Sequence, residues 1–108
     1  MFNIFSSENT AYKSLNGQEF KGEYNKSKYP VLIDVRTAGE FASGSIPNAK
    51  NIDIMSPDFQ KKITTLDKSK DYFLFCRSGS RSAQACSIMS EHGFNVYNLK
   101  GGVGAWPR

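Results

Sequence analysis

Short apolar runs separated by turn residues give the chain its rhythm. Val31–Val35 is an apolar run interrupted only by Asp34, the pattern of a strand buried on both faces of a sheet. Tyr72-Phe73-Leu74-Phe75 has the same character and runs straight into Cys76. Asn95–Leu99 is a third strand candidate, and Lys50–Ile52 and the stretch around Tyr12–Leu15 are shorter ones. Helical segments fall between them. Gln18–Lys26 follows Asn16 as N-cap, and Ala38–Ser43 fits a short turn of helix. Ser56-Pro57-Asp58 reads as a helix start, with a cap, a proline at the first helical position and an acid in the first turn. The clearest helix runs from about Ser80 to His92. Gly93 suits the left-handed position after it, with Phe94 against Met89 in a Schellman-type stop.

Strands alternating with helices predict an α/β fold with a mostly parallel sheet. In such sheets the functional site forms outside the carboxyl ends of the strands, where Cys76 falls. The chain shows no internal repeat, low-complexity tract or linker. At 108 residues it reads as one domain, residues 1–108.

Composition narrows the function classes. Hydrophobic residues are 39% and charged residues 22%, which excludes a disordered tail, collagen and a coiled coil. No apolar run approaches the roughly 18–20 residues of a membrane span. Met1–Phe5 is too short for a signal core and lacks a basic flank and cleavage site, so the expected location is cytoplasmic. Two cysteines make no disulfide scaffold and no four-ligand zinc set, and His92 is the lone histidine. No metal or cofactor is expected. The net charge of +4 comes from scattered lysines, with no nucleic-acid-binding motif. Nucleic-acid and membrane partners are therefore not expected, whereas a small anionic substrate suits the charge.

The informative stretch is Phe75-Cys76-Arg77-Ser78-Gly79-Ser80-Arg81-Ser82. A buried strand ends in a cysteine, a small glycine-containing loop follows, and a helix begins. Such a loop curls around the thiol and points its N–H groups, and those of the first helical turn, inward. That arrangement cradles an anion and lowers a thiol's pKa. Gly79 permits a backbone angle closed to other residues. Arg77 and Arg81 add planar N–H forks suited to an oxyanion. Cys76 is thus the candidate nucleophile, and Arg77, Ser78, Gly79, Ser80 and Arg81 form the candidate substrate-binding loop.

This stretch and its surroundings, roughly Leu15 to Trp106, resemble the rhodanese family of sulfurtransferases. Leu32-Ile33-Asp34-Val35-Arg36 with Glu40-Phe41 resembles the family's leading strand and following turn. Gly44-Ser45-Ile46-Pro47-Asn48-Ala49 resembles its G-H-I-P-G-A segment, Cys76–Arg81 its six-residue loop, and Gly101-Gly102-Val103-Gly104-Ala105-Trp106 its terminal G-G-x-x-x-W motif. The resemblance implies a rhodanese-like, five-stranded, mostly parallel sheet with helices on both faces. It also implies a double displacement. Cys76 takes a sulfane sulfur from a donor such as thiosulfate or a persulfide, then passes it to a thiol or cyanide. The donor's anionic group would rest on Arg77 or Arg81, and loop N–H groups would stabilise the persulfide. A protein could serve as donor or acceptor. A monomer is expected.

Ser45 and Asn48 depart from the family's histidine and glycine, a change expected at the pocket rim rather than in the loop. Asp34 and Arg36 read as a strand-end pair supporting the neighbouring loops around the site, and Glu40 as the partner of a nearby cation. Cys86 falls on the apolar side of its helix with Ala85 and Met89, about 7.5 Å of rise from the loop, and reads as core. Trp106 reads as packing at the core's edge. Two other functions compete. A cysteine-based phosphatase needs five residues between Cys and Arg, one more than separate Cys76 from Arg81. A non-catalytic interaction module of the same fold often loses the cysteine that is kept here.

Overall fold

A computed structural model describes residues 12–108, so the Met1–Phe5 segment lies outside the described residues. The described elements run β1 (Lys13–Leu15), α1 (Gly17–Lys26), β2 (Pro30–Asp34), α2 (Ala38–Ala42), β3 (Lys50–Asn51), α3 (Phe59–Ile63), β4 (Asp71–Phe75), α4 (Ser80–Glu91), β5 (Asn95–Leu99) and a 3-10 turn (Val103–Ala105). The five strands form one sheet in the order β1-β5-β4-β2-β3, every pair parallel. Parallel strands need long crossovers, and the helices supply them.

Side-chain alternation divides the apolar residues between the two faces of the sheet. Ile33, Tyr72, Leu74, Cys76 and Val96 pack with α3 and α4 through Phe59, Ile63, Ala85, Cys86 and Met89. Leu32, Phe73, Phe75 and Leu99 pack with Phe20 of α1 and with Tyr24, Val103 and Trp106. Phe73 lies at the centre of an aromatic group, stacked on Tyr97 and edge-on to Phe20 and Tyr24. Trp106 closes this layer against Phe20 and Tyr24. Helices therefore cover both faces.

Local signals set most boundaries. The Asn16 side chain accepts from Glu19 N–H at 2.9 Å, and Glu19 returns the bond in a capping box. At the end of α4, Phe94 N–H reaches Met89 C=O and Gly93 N–H reaches Ser90 C=O, with Gly93 at φ +89°. These are the two bonds of a Schellman motif. The Ser56-Pro57 start is corrected: α3 begins only at Phe59, with Asp58 at the cap and no side-chain cap bond. The Ser56 hydroxyl instead bonds the Asp58 carboxylate, and Ser56 C=O accepts from Phe59 N–H, closing a turn ahead of the helix. Among the described residues no helix is long and apolar enough to cross a membrane.

Candidate active site

Strand β4 carries Cys76 at its carboxyl end and aims it at α4. The backbone there is held from two sides. Val35 N–H donates to Phe75 C=O at 2.9 Å, and Val103 N–H donates to Cys76 C=O at 2.8 Å. The chain then turns through Arg77 and Ser78 to Gly79, whose φ of +103° is the left-handed conformation that lets α4 start at once. The turn folds N–H groups back onto the sulfur. Gly79 N–H lies 3.0 Å from Cys76 Sγ, and Ser82 N–H and Ser82 Oγ each lie 3.4 Å from it. Burial pushes the thiol's pKa up. Hydrogen bonds from the Ser82 hydroxyl and from the N–H groups of Ser82, Gly79 and Ser78 outweigh it, leaving the pKa below its ordinary value.

The back of the loop rests on Gly101-Gly102. A Cβ on Gly102 would lie 1.9 Å from Arg77 O and 2.6 Å from Ser78 N, so only glycine lets the two backbones meet. Its φ of +77° adds a second reason. The terminal glycine motif is thus the floor on which the Cys76 loop is built.

The two arginines of the loop differ. Arg77 is exposed and has no ion-pair partner among the described residues. Arg81 is held by Glu40 of α2 in a two-pronged contact, Nη1 to Oε1 at 2.8 Å and Nη2 to Oε2 at 3.1 Å. Glu40 also accepts from Thr37 N–H and Thr37 Oγ1, each at 3.1 Å, in the capping box of α2. Arg81 and then the Thr37 N–H lower its pKa to about 2. Ser78 and Ser80 are exposed on the loop, their hydroxyls 3.4 Å apart.

Asp34 and Arg36 form a separate, buried constellation at the end of β2. Arg36 Nε donates to Asp34 Oδ1 at 2.9 Å and Nη2 to Oδ2 at 2.7 Å. Nη2 also bonds Gly44 C=O at 2.7 Å, and the Ser45 hydroxyl donates to Asp34 Oδ2 at 2.8 Å. The hydrogen bond with Asp34 raises the already high pKa of Arg36. Ser45, at the histidine position of the G-H-I-P-G-A pattern, is thereby turned onto the pair. Asn48, at the motif's glycine position, adopts φ +75°, which asparagine tolerates better than most residues.

A cleft of about 570 Å³ lies beside the loop rather than over the thiol; Lys21, Arg36, Ser45, Pro47, Val103 and Trp106 are among its lining residues. Val103, whose N–H holds the Cys76 carbonyl, joins this cleft to the loop, and Arg36 and Ser45 join it to the end of β2. Cys86 is buried in the α4 layer as a free thiol. Burial, and then the charge of Cys76, push its pKa far up, so it stays protonated.

Sequence reasoning left two residues without a role. Ser82 is buried against Cys76, and its hydroxyl, with one proton to give, faces both Asn98 Oδ1 at 2.5 Å and Cys76 Sγ at 3.4 Å. Asn98, buried on β5, donates to Ser14 Oγ at 2.9 Å. The signals were present. Ser82 is the one polar position on the face of α4 that also carries Ala85, Cys86 and Met89, and Asn98 sits on the same side of β5 as Val96.

Known proteins share this architecture. The chain is 39% identical over 94 residues to a Bacillus subtilis protein named "Putative sulfurtransferase YtwF", covering 87% of this chain and 89% of that one. It is 38% identical to a sulfurtransferase of Allochromatium vinosum over 72% of each chain. The crystal structure of a rhodanese-like domain protein from Staphylococcus aureus superposes with a TM-score of 0.75 at 34% identity, covering 88% of this chain and 91% of that one. The rhodanese-like domain model matches residues 16–108, from the cap of α1 through the cysteine loop to the final residue, and the chain belongs to that family.

Proposed function

We propose that this protein moves a sulfane sulfur through a persulfide on Cys76. The observation that carries the reading is the convergence of the Gly79 and Ser82 N–H groups on Cys76 Sγ. The Cys76 thiolate attacks the outer sulfur of a donor such as thiosulfate or a persulfide. An Sγ–S bond forms, the donor's S–S bond breaks, and sulfite or a thiolate leaves with the electron pair. A thiol or cyanide then attacks the terminal sulfur, the Sγ–S bond breaks, and the Cys76 thiolate returns. The loop N–H groups, fixed by the backbone, face the charge in both forms of the cysteine.

Arg77 is the open cation at the rim, suited to the donor's anionic group. No separate base is required, because hydrogen bonds already favour the thiolate. Ser78, Gly79 and Ser80 shape the cradle, and Asp34 and Arg36 hold the turn beside it. The reading needs no cofactor. It places the monomer in the reducing cytoplasm, where thiols such as Cys76 and Cys86 persist free. Either a small anion or a protein persulfide can act as donor.

Intact mass before and after exposure to thiosulfate or a persulfide tests this. The expected result is a gain of one sulfur atom, lost on adding cyanide with release of thiocyanate, and absent in Cys76→Ala. A wild-type protein that gains no sulfur from any donor would instead be a non-catalytic module. Hydrolysis of an aryl phosphate that depends on Cys76 would point to phosphatase chemistry.

A further inference from the structure

The loop's second arginine is already occupied. Glu40 offers Arg81 two oxygens, at 2.8 and 3.1 Å from Nη1 and Nη2, the same two nitrogens that two oxygens of a sulfonate would take. Glu40 is itself held from behind by Thr37 N–H and Thr37 Oγ1, so it cannot swing aside without loosening the cap of α2. Its low pKa keeps it charged across the working pH range. Of the loop's two cations, Arg81 is therefore paired and Arg77 alone is free of a carboxylate partner among the described residues.

Resting on the sulfurtransferase reading, we propose that Glu40 is a specificity-determining residue: by occupying Arg81 it disfavours dianionic sulfur donors and turns the site toward persulfides of low net charge. A dianion such as thiosulfate has to displace a bidentate carboxylate or manage with Arg77 alone. A low-charge persulfide needs neither, because its reacting sulfur is met by the loop N–H groups.

The test compares thiosulfate with cysteamine persulfide, whose ammonium offsets the charge of its terminal sulfur. Initial rates of Cys76 persulfide formation are read by intact mass. Glu40→Gln removes the charge but keeps a side-chain oxygen for the Thr37 cap, because glutamine serves at that position. The ratio of the thiosulfate rate to the cysteamine persulfide rate should rise about tenfold in Glu40→Gln. The rise should disappear when Arg81→Gln is added, since the two changes act through one contact. An unchanged ratio, or one that rises equally without Arg81, would overturn the proposal. A measurement on the wild-type protein stands apart from folding of the variants. Because Arg77 is the one open cation of the loop, thiosulfate loading should fall by no more than about threefold from low to high ionic strength. A steep fall would mean that Arg81 is open to the anion, and the proposal fails. If neither donor loads the wild-type protein, the sulfurtransferase reading falls and this one with it. If both load and the ratio does not move, only the role of Glu40 falls.

Discussion

The carboxyl ends of β2 and β4 lie side by side and use polar groups in opposite ways. At the end of β2, Asp34 and Arg36 satisfy each other, and their remaining bonds go to Gly44 and Ser45. Opposite full charges are buried and cancelled there, and the result is a clamp on a turn. At the end of β4, Cys76 meets backbone N–H groups and one hydroxyl. Those dipoles cannot rearrange to neutralise each other, because the fold fixes them, so their field remains directed at the sulfur. Two side-chain charges two positions apart in sequence thus form the clamp, while the reactive group relies on the main chain.

Substitutions at the two ends should separate chemistry from stability. Cys76→Ala has the largest effect: sulfur uptake falls to background by mass spectrometry while the circular dichroism spectrum is unchanged. Asp34→Ala strands the buried Arg36 charge and should cost about 3–5 kcal/mol in urea unfolding. At temperatures where that variant stays folded, Cys76 should still load sulfur; a variant that is stable but inert would move the pair into the chemistry.

Gly102→Ala sharpens the contrast from the loop side. The added methyl has to displace the Arg77 carbonyl, and sulfur uptake should fall roughly a hundredfold from the misplaced cradle. Normal uptake would show that the cradle tolerates the shift. Ser82→Ala removes the hydroxyl from Cys76 without touching the N–H groups. The midpoint of Cys76 alkylation against pH should move upward, with a roughly three- to tenfold slower reaction at neutral pH. A midpoint that stays put would assign the thiolate to the backbone alone.

The smallest effect concerns the ion pair joining the α2 and α4 segments. Contacts with Arg81 and Thr37 depress the pKa of Glu40 to about 2. A depressed acid contributes stability that is complete above the ordinary carboxyl range and is lost as pH falls through the folded value. The difference in melting temperature between wild type and Glu40→Gln should therefore be constant near neutrality and close as pH approaches about 2. A gap that closes near the ordinary carboxyl pKa would mean that the contact is loose in solution.

Much of this protein is written in neighbouring residues. Apolar runs mark the strands, Asn16 with Glu19 starts α1, and Gly93 with Phe94 ends α4, because caps and stops act within one turn of chain. The cysteine, its glycine and the helix that follows are contiguous, so the N–H cradle was legible too. The start of α3 was not, because the Ser56 hydroxyl goes to Asp58 and closes a turn instead of capping a helix. Only tertiary packing could decide the rest. Glu40 meets Arg81 across 41 positions, Asn98 meets Ser82 across 16, and Gly102 supports Arg77 from beyond β5. Sequence patterns show that such residues are charged, polar or small. Which partner each receives depends on the strand order β1-β5-β4-β2-β3, set by how both faces of the sheet are covered.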